Sequence, residues 1–380
     1  ATGNLPAGIK VATENINASA ITPAKLSDVA QSLTNRNVII NGAMNVAQRN
    51  TSVTGAGDYS DATKIGYLTC DRWTIGGNNT NTRYTISQDS SAPSGTGLAN
   101  SLKLACTTAD TSAFASEEIV LTQKIEGQNV QGFCKGTSDA KPFAVSFYVK
   151  ADSSATYVAE LFDADNTRHV CSTFSVTTDW TRVEISFPAD TTGAFNDDNG
   201  DSLYLNIWLQ AGTDFTSGTL PSTWASKTNA NRAVGISKFG SATSDTFFLT
   251  GVQIEIGQNP TEFESEPFET TFKKCQRYFQ AWDNDGEPVG AGLFYGSNQI
   301  LGHMPFRKTM RSAPSVTVSN VNWLRVYVPG SSANSNSTTS HLDNIKTEGA
   351  RINVGVSGTS GHGMYSQIQG SYYAYLSAEL

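Results

Sequence analysis

Strict alternation of apolar and polar residues recurs through the middle of the chain. In 141–150, Phe143, Val145, Phe147 and Val149 point one way, and Ala144, Ser146, Tyr148 and Lys150 the other. The same period of two runs through 182–187, with Val183, Ile185 and Phe187 on the apolar side, and 251–257, with Val252, Ile254 and Ile256. In 202–210, Leu203, Leu205, Ile207 and Leu209 oppose Tyr204, Asn206, Trp208 and Gln210. Successive side chains of an extended strand leave on opposite faces, so each run predicts a strand with one face in a core. Shorter runs at 83–87, 101–106 and 119–125 predict more strands. The segments between them are rich in Gly, Asn, Asp, Ser and Thr, the residues of turns. Many half-buried strands, polar connections and almost no helical periodicity predict an all-β chain whose residues 37–274 fold as an antiparallel sandwich.

The ends read differently. Residues 1–36 are broken by Pro6 and Pro23 and poor in apolar residues, as in a connector. Thr22-Pro23 is a helix-start signal, and a short helix from Pro23 to Leu33 lines up Leu26, Val29 and Leu33. That stripe needs a partner, most simply copies of itself. A second helix is expected over Phe272–Ala281, where the sandwich ends. Residues 283–380 read again as a strand-rich, glycine-rich region, with Leu324, Val326 and Val328 opposing Trp323, Arg325 and Tyr327. Ser331–Ser340 reads as a polar low-complexity loop, and Tyr373 and Tyr375 share one face, expected in a core or an interface.

Composition narrows the partners. The 380 residues are 38% hydrophobic and only 16% charged, with 26 basic against 34 acidic side chains. Ser, Thr, Asn and Gln carry the polarity instead. A net charge of −8 argues against nucleic acid and anionic lipid, both of which are bound by an excess of Lys and Arg. No apolar run reaches the ~20 residues of a membrane helix, so no membrane insertion is expected. The first residues lack the basic start and apolar run of a signal peptide, which predicts synthesis in the cytoplasm. Five cysteines, none in a CxxC pair, predict buried free thiols rather than disulfides or zinc.

No GxSxG, P-loop or dinucleotide fingerprint is present, and nothing groups the four histidines with a nucleophile. Chemistry therefore rests on two other features. Asp163/Asp165 and Asp197/Asp198/Asp201 lie in turn-like DADN and NDDNGD runs, either as solvated turn acids or as oxygen ligands for a structural Ca2+; the calcium reading falls on Asp197, Asp198 and Asp201. The other feature is aromatics on the polar side of strands. Trp208 with Tyr204 and Asn206, Tyr148 on its own strand, and Trp323 with Arg325 and Tyr327 are candidate sugar platforms or protomer interfaces.

Asn37-Val38-Ile39-Ile40-Asn41-Gly42-Ala43-Met44-Asn45-Val46-Ala47-Gln48-Arg49, followed by Asp71-Arg72-Trp73, resembles the opening of a module of bacteriophage tail fibre proteins. Phe247–Gly257 with Cys275-Gln276-Arg277-Tyr278-Phe279 resembles its close, and Phe306–Pro314 with Ala378-Glu379-Leu380 resembles the tip of such fibres. The resemblance implies a jelly-roll, carbohydrate-binding-module-like domain over 37–282, a β-rich tip over 283–380 and a trimerisation and virion-attachment segment over 1–36. It further implies a non-enzymatic homotrimer on the virion, joined to other phage tail proteins through the N-terminus. Such a fibre adsorbs to a host-surface polysaccharide or lipopolysaccharide; a depolymerase and a purely structural fibre subunit are the alternatives.

Overall fold

The computed structural model describes residues 35–380 apart from 113, 298, 321, 329–330, 337–339 and 356–358; the expected helix over 23–33 lies outside these residues. The described strands fall into two units, each of two sheets that share a core. The first uses β1 (Ser52–Ala56), β2 (Thr74–Asn78), β3 (Arg83–Asp89), β4 (Ser101–Thr108), β5 (Glu118–Glu126) and β6 (Phe143–Ala151). It continues with β7 (Ala155–Asp163), β8 (Arg168–Val176), β9 (Thr181–Phe187), β10 (Asp201–Ala211), β11 (Ala225–Ser226) and β12 (Thr246–Ile256). They form two six-stranded sheets, in the orders β1-β3-β4-β12-β6-β9 and β11-β8-β7-β10-β5-β2. Every pairing among the described strands is antiparallel.

Alternation drives the arrangement. Phe143, Val145, Phe147 and Val149 of one sheet and Leu203, Leu205, Ile207 and Leu209 of the other are buried in a single core with Leu249, Val252 and Ile254. The chain is thus the all-β jelly-roll sandwich that the pattern and the resemblance lead one to expect. All five cysteines are free, and four are buried.

A one-turn helix α1 (Thr213–Thr216) follows β10, and α2 (Phe268–Gln276) leads into the second unit. The helix expected over 272–281 thus starts earlier and stops at Gln276. Phe279–Trp282 is instead strand β13, fully buried and paired with the last strand. The second unit comprises β13, β14 (Pro288–Phe294), β15 (Gln299–Pro305), β16 (Ser315–Val318) and β17 (Leu324–Val328). β18 (Ser331–Asn336), β19 (Ser340–Asp343), β20 (Gly349–Gly355), β21 (Gly363–Ile368) and β22 (Ala374–Ser377) complete it. A three-stranded sheet, β13-β22-β16, and a seven-stranded one, β18-β17-β21-β14-β15-β20-β19, share a core around Trp282, Met304, Trp323 and Leu376. The tract at 331–336, expected as a loop, pairs with β17 as an edge strand: backbone hydrogen bonds suffice there without apolar side chains.

The segments that carry the family resemblance meet where the two units join. Arg72, 1% exposed, bonds the Glu379 carboxylate, donates to the Lys124 carbonyl at 2.7 Å and lies 3.5 Å from the centre of the Tyr278 ring. Arg49 reaches Glu379 at 3.1 Å and stacks 3.6 Å over Phe279. Glu126 accepts two bonds from Arg277 and one from the Tyr278 hydroxyl. Arg311 donates to the carbonyls of Ala378 at 2.8 Å and Glu379 at 3.0 Å.

Candidate functional site

The outer face of the second six-stranded sheet carries a groove of about 370 Å³. Cross-strand register builds its floor in three rows. Phe162 of β7, Tyr204 of β10 and Lys124 of β5 form the first; Asn206, Thr122 and Thr74 the second; Trp208, Val120 and Gly76 the third. Strand β2 contributes Gly76 and Gly77, which keep that flank shallow. Tyr204 and Phe162 meet edge to face at 5.4 Å, and the Lys124 ammonium lies 5.1 Å from the Tyr204 ring. The Tyr204 hydroxyl bonds Asp201, and burial together with that carboxylate pushes the phenol pKa up. Lys227 leans on Phe162 at 5.6 Å, and Glu118 lies at the β2–β5 side with its pKa raised by burial.

Beneath the floor lies Glu160. Its carboxylate accepts from His169 Nδ1 at 3.0 Å, Asn206 Nδ2 at 2.9 Å, Trp208 Nε1 at 2.9 Å and the Arg232 guanidinium at 2.9 and 2.8 Å. Burial by itself would raise this pKa; the His169 bond and the charge and bonds of Arg232 outweigh it and bring it down to about 2. Asn206 also accepts from Thr122 Oγ1 at 2.7 Å. The floor is therefore held rigid by one carboxylate.

Sequence reasoning placed Trp208 on an exposed face, and this is corrected: the side chain is 0% exposed. Residues 212–233 fold back over that end of the sheet. Phe215 packs 5.3 Å from the indole, the Arg232 guanidinium covers it at 4.7 Å, and Val158, Cys171 and Ala233 complete the cluster. Tyr204 and Asn206 share the groove with it, although Asn206 is only 4% exposed. Tyr148 does not join them. It lies on β6 of the other sheet, against Gly251, on the far side of the sandwich. Trp323 is likewise buried, at 1% exposure, in the core of the second unit rather than beside Arg325 and Tyr327. It precedes the first residue of β17, so the strand alternation does not extend to it. Arg325 and Tyr327 do remain accessible, the former 3.9 Å from Asp285.

The acidic run Asp197, Asp198 and Asp201 does not converge on a metal-sized centre. Asp198 caps its own turn through Gly200 N at 2.8 Å, and Asp201 is taken up by Tyr204 and, at 3.6 Å, by Lys124. Among the described residues one trio of potential ligands is close enough, Glu160, His169 and Cys171, and there Arg232 already occupies both carboxylate oxygens. A separate cage of oxygens, from Asp163, Asp190 and the carbonyls of Thr192 and Gly193, encloses the buried ammonium of Lys135. The residues that sequence reasoning missed are Phe162, Lys124, Lys227, Arg232, Glu118 and Glu160. Only the alternation of Glu118, Val120, Thr122 and Lys124 against Ile119, Leu121, Gln123 and Ile125 carries a signal for them, because register between distant strands leaves none.

Comparison with protein-family models and with curated proteins gives no match. Solved structures do match in part. The chain is similar to the enzymatically active domain of bacteriophage CBA120 tailspike protein 4, at 11% identity and a TM-score of 0.30, over 58% of this chain and 21% of that one. It thus spans about a fifth of that tailspike chain. The carbohydrate-binding module TmCBM61, in complex with β-1,4-galactotriose, matches at 10% identity and a TM-score of 0.30, over 58% of this chain and 99% of the module. A family 11 carbohydrate-binding module from Clostridium thermocellum matches at 10% identity and 0.27, over 51% and 92%. Among the described residues no helix is long and apolar enough to cross a membrane.

Proposed function

We propose that this chain binds a surface glycan without cleaving it, as the receptor-binding subunit of a trimeric bacteriophage tail fibre. The observation that carries the glycan reading is the groove on the second sheet. It combines an aromatic pair, Tyr204 and Phe162, with amide, hydroxyl, ammonium and carboxyl groups, set on strands except for Lys227 and Arg232 of the covering segment. Aromatic faces take the C–H patch of a sugar ring, and fixed polar groups take its hydroxyls. The charges in and under the groove balance: Lys124 stands against Asp201, Arg232 against Glu160 and Lys227 against Glu118. Such a surface suits hydroxyl recognition better than bulk ionic attraction. Glycoside hydrolysis uses two carboxyl groups across the scissile bond, whereas Glu118 is the single carboxyl side chain lining this groove. The phage-fibre part of the proposal is supported by the Asn37–Arg49, Asp71–Trp73, Cys275–Phe279 and Ala378–Leu380 segments and by their meeting at one junction.

The test is binding of purified labelled protein to intact bacteria, with the released polysaccharide sized in the same tube and the mass of the protein read by light scattering. Expected are a trimer, saturable binding and unchanged polysaccharide length. Binding should fall at least tenfold in Tyr204→Ala and Lys227→Ala proteins that melt like the parent. Shortened polysaccharide moves the reading to a depolymerase. Absence of binding to every strain moves it to a structural subunit.

A further inference from the structure

The seven-stranded sheet of the second unit has one face in the core and one uncovered. Register aligns a row across the uncovered face: Tyr327, Tyr365, Ala291, His303, Arg351 and Asp343, on six successive strands. Tyr327 is 36% exposed and Tyr365 41%, with ring centres 6.3 Å apart. Beside Tyr365 opens a cavity of about 760 Å³. Its far wall is a preset polar pair: Arg307 stacks 4.5 Å over Trp282 and bonds the Glu287 carboxylate. Glu287 is itself fixed by the backbone N–H of Asp283 at 3.0 Å.

We propose that this cavity is a second saccharide site, with Tyr365 as the stacking face and Glu287, Arg307 and His303 as hydroxyl partners. The inference rests on the glycan-binding reading above. Three features select the ligand class. Glu287 neutralises Arg307, so no net charge draws a phosphate or carboxylate. The cavity lies on the face of β14, β15 and β21, whose backbone groups are paired with one another, so an extended peptide would find no free strand edge. An acceptor and a donor held side by side facing an aromatic ring match vicinal hydroxyls and the adjoining C–H face of a pyranose. Because both members of the pair are already immobilised, little ordering cost opposes binding.

Two sites per chain change the arithmetic of adsorption. Engagement of one makes the other an intramolecular event, raising avidity by 10²–10⁴ where one polysaccharide can span both. The test uses the full chain. An array of immobilised oligosaccharides (hexose, hexosamine, 6-deoxyhexose and uronate) identifies a retained probe, and calorimetry counts probe molecules per chain. Two per chain are expected, falling to one in Tyr365→Ala and in Arg307→Ala, and staying at two in Tyr365→Phe, which keeps the ring. Tyr204→Ala should remove the other. One per chain, unchanged by Tyr365→Ala and lost with Tyr204→Ala, overturns the second site and leaves the groove standing. One per chain, lost with Tyr365→Ala and kept in Tyr204→Ala, supports the second site and overturns the groove. Retention of no saccharide overturns both.

Discussion

Five hydrogen bonds converge on Glu160, and their four donor residues belong to three different segments of the chain. Removing the charge leaves Arg232 without its partner and the indole N–H of Trp208 with a weaker one. Glu160→Gln should therefore destabilise the protein by about 3 kcal/mol, the cost of breaking a buried pair by removing one partner, as read from denaturant unfolding. The carboxylate's lowered pKa gives the matching pH dependence. Its stabilisation is complete above the unfolded value near 4.5 and is lost as pH falls through the folded value of about 2. The same cluster shows what single residues reveal in a sequence. Alternation put Trp208 on the side away from the core, and it does point there. Alternation carries no information about a segment returning 4 to 25 residues later to cover it, and residues 212–233 do so. Asn206 and Tyr204 were found by the same logic, whereas Glu160 and Arg232 sit in runs without alternation and went unseen.

At the level of elements, the strands with clear period-two patterns were all legible, because a half-buried strand writes its two environments into its sequence. β7 was not: residues of both its faces are buried, and its pattern loses contrast. β18 was not legible either, since an edge strand built of Ser and Asn looks like a turn-rich loop. The boundary between units was blurred for a related reason, with β13 following α2 almost directly and joining the C-terminal sheet. One residue of the 37–49 segment has a steric role that the sequence does not reveal. Gly42 lies against the backbone of β12, where a Cβ would meet the Val252 carbonyl oxygen at 2.1 Å. That oxygen also accepts from Asn37 Nδ2 at 3.0 Å. Gly42→Ala must push the 37–46 segment off the strand and should cost on the order of 2 kcal/mol. A thermal melt of the variant showing no loss would contradict this packing.

Across the whole molecule, the junction contains a second titrating group of opposite sign. Asp71 is buried, and burial raises its pKa to about 6 despite the Arg49 charge and the bonds from Gln48. A carboxyl whose folded pKa lies above its unfolded value favours folding while protonated. Its contribution is greatest below about 3.8 and declines as pH rises through 6. Asp71→Asn should therefore flatten the stability profile between pH 4 and 6.5, measured by thermal melts across that range, while the acid limb set by Glu160 remains.

The polypeptide enters the second unit on β13 and leaves it on β22, and these two strands lie side by side, Phe279 opposite Ser377. Entry and exit are thus one strand spacing apart, about 4.8 Å. Of the junction contacts described, only those of Arg311 come from the residues in between. The second unit is consequently a cassette: genetic exchange of the stretch from 283 to 373 would swap one exposed surface for another and leave the attachment to the sandwich almost untouched. A lineage could change what this unit displays without having to reinvent how it is mounted.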